Sequence, residues 1–200
     1  MRQAALGFGL WPRAQSPKPE CLNPEPSYYY SVSVSVSAHR SASPHCVSCF
    51  VLTVSDSRTP ETDTSGRAIA DLLAEAGHVV AGQALLRDEP AEVTSLVRDL
   101  LARDGVQAII TTGGTGVSRR DSTYEAVTAL IDKELPGFGE LFRMISFREI
   151  GAAAMLSRAT AGIAGGRAVF LLPGSEHAVR LAMRQLILPE LGHVVREAER

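Results

Sequence analysis

Three polar clusters interrupt the hydrophobic runs of this chain. The first is Thr53-Val54-Ser55-Asp56-Ser57-Arg58, the second Asp88-Glu89, and the third runs from Thr111 to Asp121 as Thr-Thr-Gly-Gly-Thr-Gly-Val-Ser-Arg-Arg-Asp. The glycine cluster Gly113-Gly114-Thr115-Gly116 lacks the spacing of the dinucleotide fingerprint G-x-G-x-x-G and the lysine of the phosphate loop. Glycine nevertheless allows close backbone approach, so successive N–H groups can converge on a phosphate while Thr115 and Ser118 add hydroxyl donors. A turn with no ligand is the plain alternative. Arg119, Arg120 and Asp121 place guanidinium and carboxylate groups beside that backbone, a combination suited to an anionic ligand with bound Mg²⁺.

Asp88 and Asp121 are accordingly the metal or acid/base candidates. Each also has an ordinary reading as a helix N-cap, Asp88 before Pro90 and Asp121 ahead of a helical stretch with Glu125 nearby. Farther along, Ser157-Arg158 follows an alanine-rich segment. Pro173-Gly174-Ser175 joins a buried strand to the last helix, where it serves either as a phosphate-holding helix start or as a simple turn. The five histidines lack metal-ligand spacing and receive no role.

The elements that must position these groups follow from periodicity. Cys46 to Val54 is an apolar run of strand length, as expected for a strand covered on both faces. Ile69, Leu72, Leu73 and Ala76 recur at helical spacing between cap candidates Asp63, Thr64 and Ser65 and a terminating Gly77. Val79 to Leu86 reads as a strand, Pro90 opens a helix carrying Val93, Leu96, Val97, Leu100 and Leu101, and Gly105 closes it. Val106 to Thr112 is a third strand and Ser122 to Leu130 a helix. Shorter helices are expected over Gly139 to Ser146 and Glu149 to Leu156. Ala159 to Ile163 and Arg167 to Leu172 read as a hairpin turning at Gly165-Gly166, and a last helix is kinked or restarted at Pro189. Strand and helix in alternation predict an α/β fold with a mostly parallel, doubly wound sheet and an antiparallel edge hairpin. The polar clusters then fall at strand carboxyl ends, where such sheets bind ligands.

Two hundred residues, 45% apolar and 21% charged, suit one globular domain with a tail and exclude a wholly disordered chain. A net charge of −2 offers nothing to coat nucleic acid or a membrane surface. The first 45 residues hold six of the 11 prolines and the alternation Ser31 to Ser37, so a disordered leader over 1–45 and a domain over 46–200 are expected. Cys46 and Cys49 have C-x-x-C spacing, but no second ligand pair follows and both are expected to pack as strand residues. No apolar stretch reaches spanning length and no signal peptide stands out, which predicts a cytoplasmic protein.

Taken together, Val-Ser-Asp-Ser-Arg at 54–58, Thr-Thr-Gly-Gly-Thr-Gly at 111–116, Arg-Arg-Asp at 119–121, Leu-Pro-Gly-Phe-Gly-Glu-Leu-Phe-Arg at 135–143, Leu-Ser-Arg-Ala at 156–159 and Leu-Pro-Gly-Ser at 172–175 resemble the molybdenum cofactor biosynthesis proteins of the MoaB/MogA type. The resemblance covers about residues 47–197. It implies a three-layer α/β/α fold, a homotrimer or hexamer, and Mg²⁺-dependent adenylylation of molybdopterin by ATP, with a molybdenum insertase as downstream partner. By the same resemblance Asp88 and Asp121 are the catalytic, Mg²⁺-holding carboxylates. Gly113, Gly114, Thr115, Gly116, Ser118, Pro173, Gly174 and Ser175 would hold the nucleotide, and Ser55, Asp56, Ser157 and Arg158 the pterin. A noncatalytic molybdopterin carrier of the same fold is the competing reading.

Overall fold

The computed structural model describes residues 43–200. The expectations for the leader therefore lie outside the described residues, apart from its last three positions. Of these, Ser43 is buried, and the Pro44 carbonyl lies where a Cβ on Gly192 would stand.

The chain runs β1 (Ser48–Val54), α1 (Thr64–Glu75), β2 (Val79–Leu86), α2 (Pro90–Ala102), β3 (Ala108–Thr112), α3 (Thr123–Thr128), β4 (Lys133–Glu134), α4 (Pro136–Ile150), a 3₁₀ segment (Gly151–Leu156), β5 (Thr160–Ala164), β6 (Arg167–Leu172), α5 (Glu176–Ala182), a π turn (Met183–Ile187) and α6 (Leu188–Ala198). The six strands form one sheet in the order β2-β1-β3-β6-β5-β4. β1 pairs in parallel with β2 and β3, and β3 with β6, whereas β5 runs antiparallel to both its neighbours.

Alternation along the strands builds two cores. Cys49 and Val51 of β1, Ala108 and Ile110 of β3, and Phe170 and Leu172 of β6 face α1, α4, α5 and α6. Phe50, Leu52 and Val54, Ile109, and Val169 and Leu171 face α2 and α3. Period-two side chains on strands covered on both faces thus yield the three α/β/α layers. Local chemistry sets the ends of α1. The Asp63 side chain accepts from Gly66 N at 2.9 Å as N-cap, and Gly77, at φ +81°, supplies the positive φ that ends the helix.

Two expectations change. The hairpin β5–β6 forms, but β6 lies inside the sheet and the two-residue β4, too short to show any period, is the edge strand. The two helices expected between 139 and 156 are one long helix and a 3₁₀ segment. Pro136 initiates α4 as an N-terminal proline, and Gly151 at φ +61° stops it. As expected, Pro189 restarts the last helix, here after a full π turn.

Cys46 is exposed and lies before β1, while Cys49 is buried, and both are free. Burial pushes the Cys49 thiol up to about 12. We expect iodoacetamide at pH 8 to modify Cys46 and spare Cys49 until denaturant is added, as mapped by mass spectrometry. Rapid native alkylation of Cys49 would contradict its packing as an apolar side chain.

Candidate functional site

β1 connects outward to β2, and the chain then crosses back over β1 to β3, so the sheet reverses its winding between β1 and β3. Outside the carboxyl ends of such strands the crossovers diverge and leave a crevice. A cavity of about 500 Å³ lies there, lined by Thr53 to Arg58 from the end of β1 onward, Asp88 after β2, Thr112 to Gly116 from the end of β3 onward with Arg120 and Asp121, Leu156 and Ser157, and Pro173 and Gly174 after β6. Glycine is required at its floor. Gly113 adopts φ +94° and a Cβ there would strike the Val54 carbonyl, while a Cβ on Gly114 would stand 2.6 Å from Asp88 Oδ2.

Asp88 is buried and accepts from Ser122 Oγ and Thr123 Oγ1, both at 3.0 Å, and from Ser122 N at 3.3 Å. It therefore closes the start of α3, not the start of its own helix, whose N-cap Glu89 makes no side-chain cap bond. Asp121, by contrast, does not cap α3. Its Oδ2 accepts from the backbone N and hydroxyl of Ser118, closing the loop that carries the two arginines.

Arg120 ties the three crossovers together: Nε donates to Asp56 Oδ2 at 2.8 Å and a terminal nitrogen to Glu89 Oε1 at 2.6 Å. The Arg120 hydrogen bond, helped by the Asp88 N–H, holds the Asp56 carboxyl below the usual carboxylate range. Arg58 grips the far side, donating to the Gly174 carbonyl at 2.8 Å and to Ser65 Oγ at 2.7 Å.

A family model described as "Probable molybdopterin binding domain" matches residues 50–193 of this chain. The chain belongs to that family. It is 50% identical over 165 residues to a molybdenum cofactor biosynthesis protein B from Halalkalibacterium halodurans, covering 82% of this chain and 97% of that protein. The corresponding protein of Bacillus subtilis is 51% identical over 168 residues, with the same two coverages. A crystal structure of a molybdenum cofactor biosynthesis protein B superposes with a TM-score of 0.76 at 51% identity, over 78% of this chain and 98% of the other. The tungsten cofactor synthesizing protein MoaB of Pyrococcus furiosus does so at 0.71 and 36% identity, over 78% and 99%.

Within this molybdopterin-binding-domain fold, Asp88, Asp121, Gly113 to Gly116, Pro173, Gly174, Ser55, Asp56 and Ser157 all line the one cavity. Three residues singled out in the sequence do not line it. Ser118 is spent on Asp121, and the Ser175 hydroxyl accepts from Ala178 N at 3.2 Å as the N-cap of α5. Arg158 turns to the Thr115 and Gly116 carbonyls, to Glu125 and to the Tyr124 ring. Conversely, Arg120, expected from the sequence to stand beside an anionic ligand, lines the cavity but is paired with Asp56 and Glu89. Arg58 and Glu89 carried no individual expectation, and no local pattern marks these pairings, because each reaches a partner from a different crossover.

Proposed function

We propose that this protein acts in molybdenum cofactor biosynthesis, in the cytoplasm, as an Mg²⁺-dependent adenylyltransferase that transfers AMP from ATP to molybdopterin. An oxygen of the molybdopterin phosphate attacks the α-phosphorus of ATP, the bond to the β-phosphate breaks, and pyrophosphate leaves as the adenylate forms. No protein nucleophile is needed, so positioning and charge neutralisation are the tasks left to the chain. The observation that carries this reading is the meeting of Asp88, Asp121 and both glycine turns around one cavity at the switch point of the sheet.

Among the described residues no three His, Cys, Asp or Glu side chains gather into a metal cage. Two carboxylates on one cavity still fit Mg²⁺, which usually completes its shell with water and substrate phosphate oxygens. Asp88 and Asp121 would hold it, and the ion would supply charge neutralisation at the phosphates. Asp88 Oδ1 is occupied by hydroxyl donors, whereas Oδ2 accepts only the long bond from Ser122 N. Gly113 to Gly116, Pro173 and Gly174 would line the nucleotide half, and Ser55, Asp56 and Ser157 the pterin half. Purified protein given ATP, Mg²⁺ and molybdopterin should release pyrophosphate in step with adenylate. Ligand binding without pyrophosphate would replace this reading with a carrier function.

The proposal includes a homotrimer or hexamer and handover of the adenylate to a molybdenum insertase. Leu141, Met144, Phe147 and Ile150 of α4, with Met155 and Leu156, leave large apolar surface exposed, which soluble monomers seldom carry and a second copy would cover. Phe147→Asp is expected to lower the mass measured by light scattering to that of smaller assemblies. An unchanged mass would remove this face from the interface.

A further inference from the structure

Arg158 sits outside the cavity yet holds its glycine turn. Nε donates to the Thr115 carbonyl at 2.8 Å and a terminal nitrogen to the Gly116 carbonyl at 2.7 Å, so one planar fork spans two successive peptide groups. The guanidinium is itself fixed from two sides. Glu125 of α3 pairs with it, and the Tyr124 ring lies 4.6 Å from its central carbon.

All peptide bonds in the described chain are trans. In a planar trans peptide the C=O and N–H point in opposite directions. Pulling the Thr115 and Gly116 carbonyls toward Arg158 therefore turns the Gly116 and Val117 N–H groups the other way. Among the described residues the N–H groups of Gly114, Thr115, Gly116 and Val117 meet no protein acceptor, although Thr115 is buried and Gly114 to Gly116 line the cavity. A row of unpaired backbone donors beside a cavity is a site for an anion.

We propose that Arg158 is a positioning residue: by gripping the carbonyls of Thr115 and Gly116 it aims the backbone donors of the turn at the phosphates of a nucleotide, without touching them. The proposal rests on the nucleotide reading given above and deepens it. It also replaces a direct pterin contact by Arg158 with an indirect role, in which geometry matters more than charge. Lysine keeps the charge but is a single point donor that cannot bridge two carbonyls.

The test uses the full chain with inorganic pyrophosphate as probe, read by calorimetry and by hydrogen exchange of the peptide covering residues 113–118. In the unsubstituted protein pyrophosphate should bind and slow exchange in that peptide. Arg158→Ala should weaken binding at least tenfold and remove the protection, and Arg158→Lys should recover only part of either. Glu125→Gln, which loosens the guanidinium without altering its size or charge, should weaken binding a few-fold and serves if Arg158→Ala does not fold. Full affinity and protection in Arg158→Lys would mean that charge alone acts, and unchanged values in Arg158→Ala or in Glu125→Gln would mean that the grip is irrelevant. Each of these overturns the proposal but leaves the nucleotide site standing. If neither pyrophosphate nor ATP binds the unsubstituted protein, the nucleotide reading falls and this inference with it.

Discussion

Asp121→Ala is expected to lower the rate of pyrophosphate release by about 100-fold or more, the scale of losing one preorganised charged group at a phosphoryl centre, while the fold survives. Asp121 lines the cavity, and its own protein partner is Ser118 within an exposed loop, so its removal leaves no buried donor stranded. Asp88→Ala is expected to lose activity to the same degree but to unfold more easily. It would strand Ser122 N and two hydroxyls that now bond a buried carboxylate, at a cost of about 2–3 kcal/mol. Asp88→Asn keeps an oxygen for those donors and removes the charge, and should be nearly as stable as the parent and still inactive. Pyrophosphate release timed with purified variants, beside urea melts, separates the two carboxylates. Rates within threefold of the parent in Asp121→Ala and Asp88→Asn would end the assignment of these two residues to the reaction.

Gly113→Ala is the substitution expected to cost most stability. Its φ of +94° is unfavourable for any residue with a Cβ, and the added carbon would meet the Val54 carbonyl at the end of β1, a backbone atom that cannot swing aside. Strain of this kind, with the clash added, should remove about 3 kcal/mol or more. Gly113 N also donates to the Leu172 carbonyl at 3.1 Å, so moving the turn to relieve the clash would pull apart the junction of β3 and β6. A urea midpoint lowered by less than 1 kcal/mol equivalent would show that the turn is softer than its geometry implies. Gly77→Ala is the control. It too has positive φ, +81°, but nothing lies within 4 Å of its added Cβ, so only the conformational part of the penalty, about 1–2 kcal/mol, should appear.

How far the molecule could be read from its residues depended on the range of the interaction concerned. Asp63 as cap, Gly77 as terminator and Pro90 as helix opener act within one turn of chain, and each stands where its chemistry requires. β4 was invisible because two residues carry no period. The helix expected from Gly139 to Ser146 in fact opens three residues earlier, at Pro136, and runs on until Gly151 at φ +61° stops it. In the fold, Gly139 packs so closely on the Ala159 carbonyl that a Cβ would stand 2.6 Å from it.

The sequence by itself determined the alternation of strands and helices, and hence that Ser55, Asp88 and the glycine turn leave strands at one rim of a sheet; that Pro173 joins them followed only from the parallel pairing of β6 with β3. Short-range periodicity and turn chemistry suffice for that, and the resemblance of the ordered motifs supplied the family. Which side chains line the cavity and which serve as scaffolding was decided only by the tertiary structure. Asp88 closes a helix 34 residues away, Arg120 joins three crossovers, and Arg158 holds a turn 42 residues upstream. Such partners are chosen by strand order and register, and no local pattern of residues encodes the distance between two loops that meet only when the sheet is built.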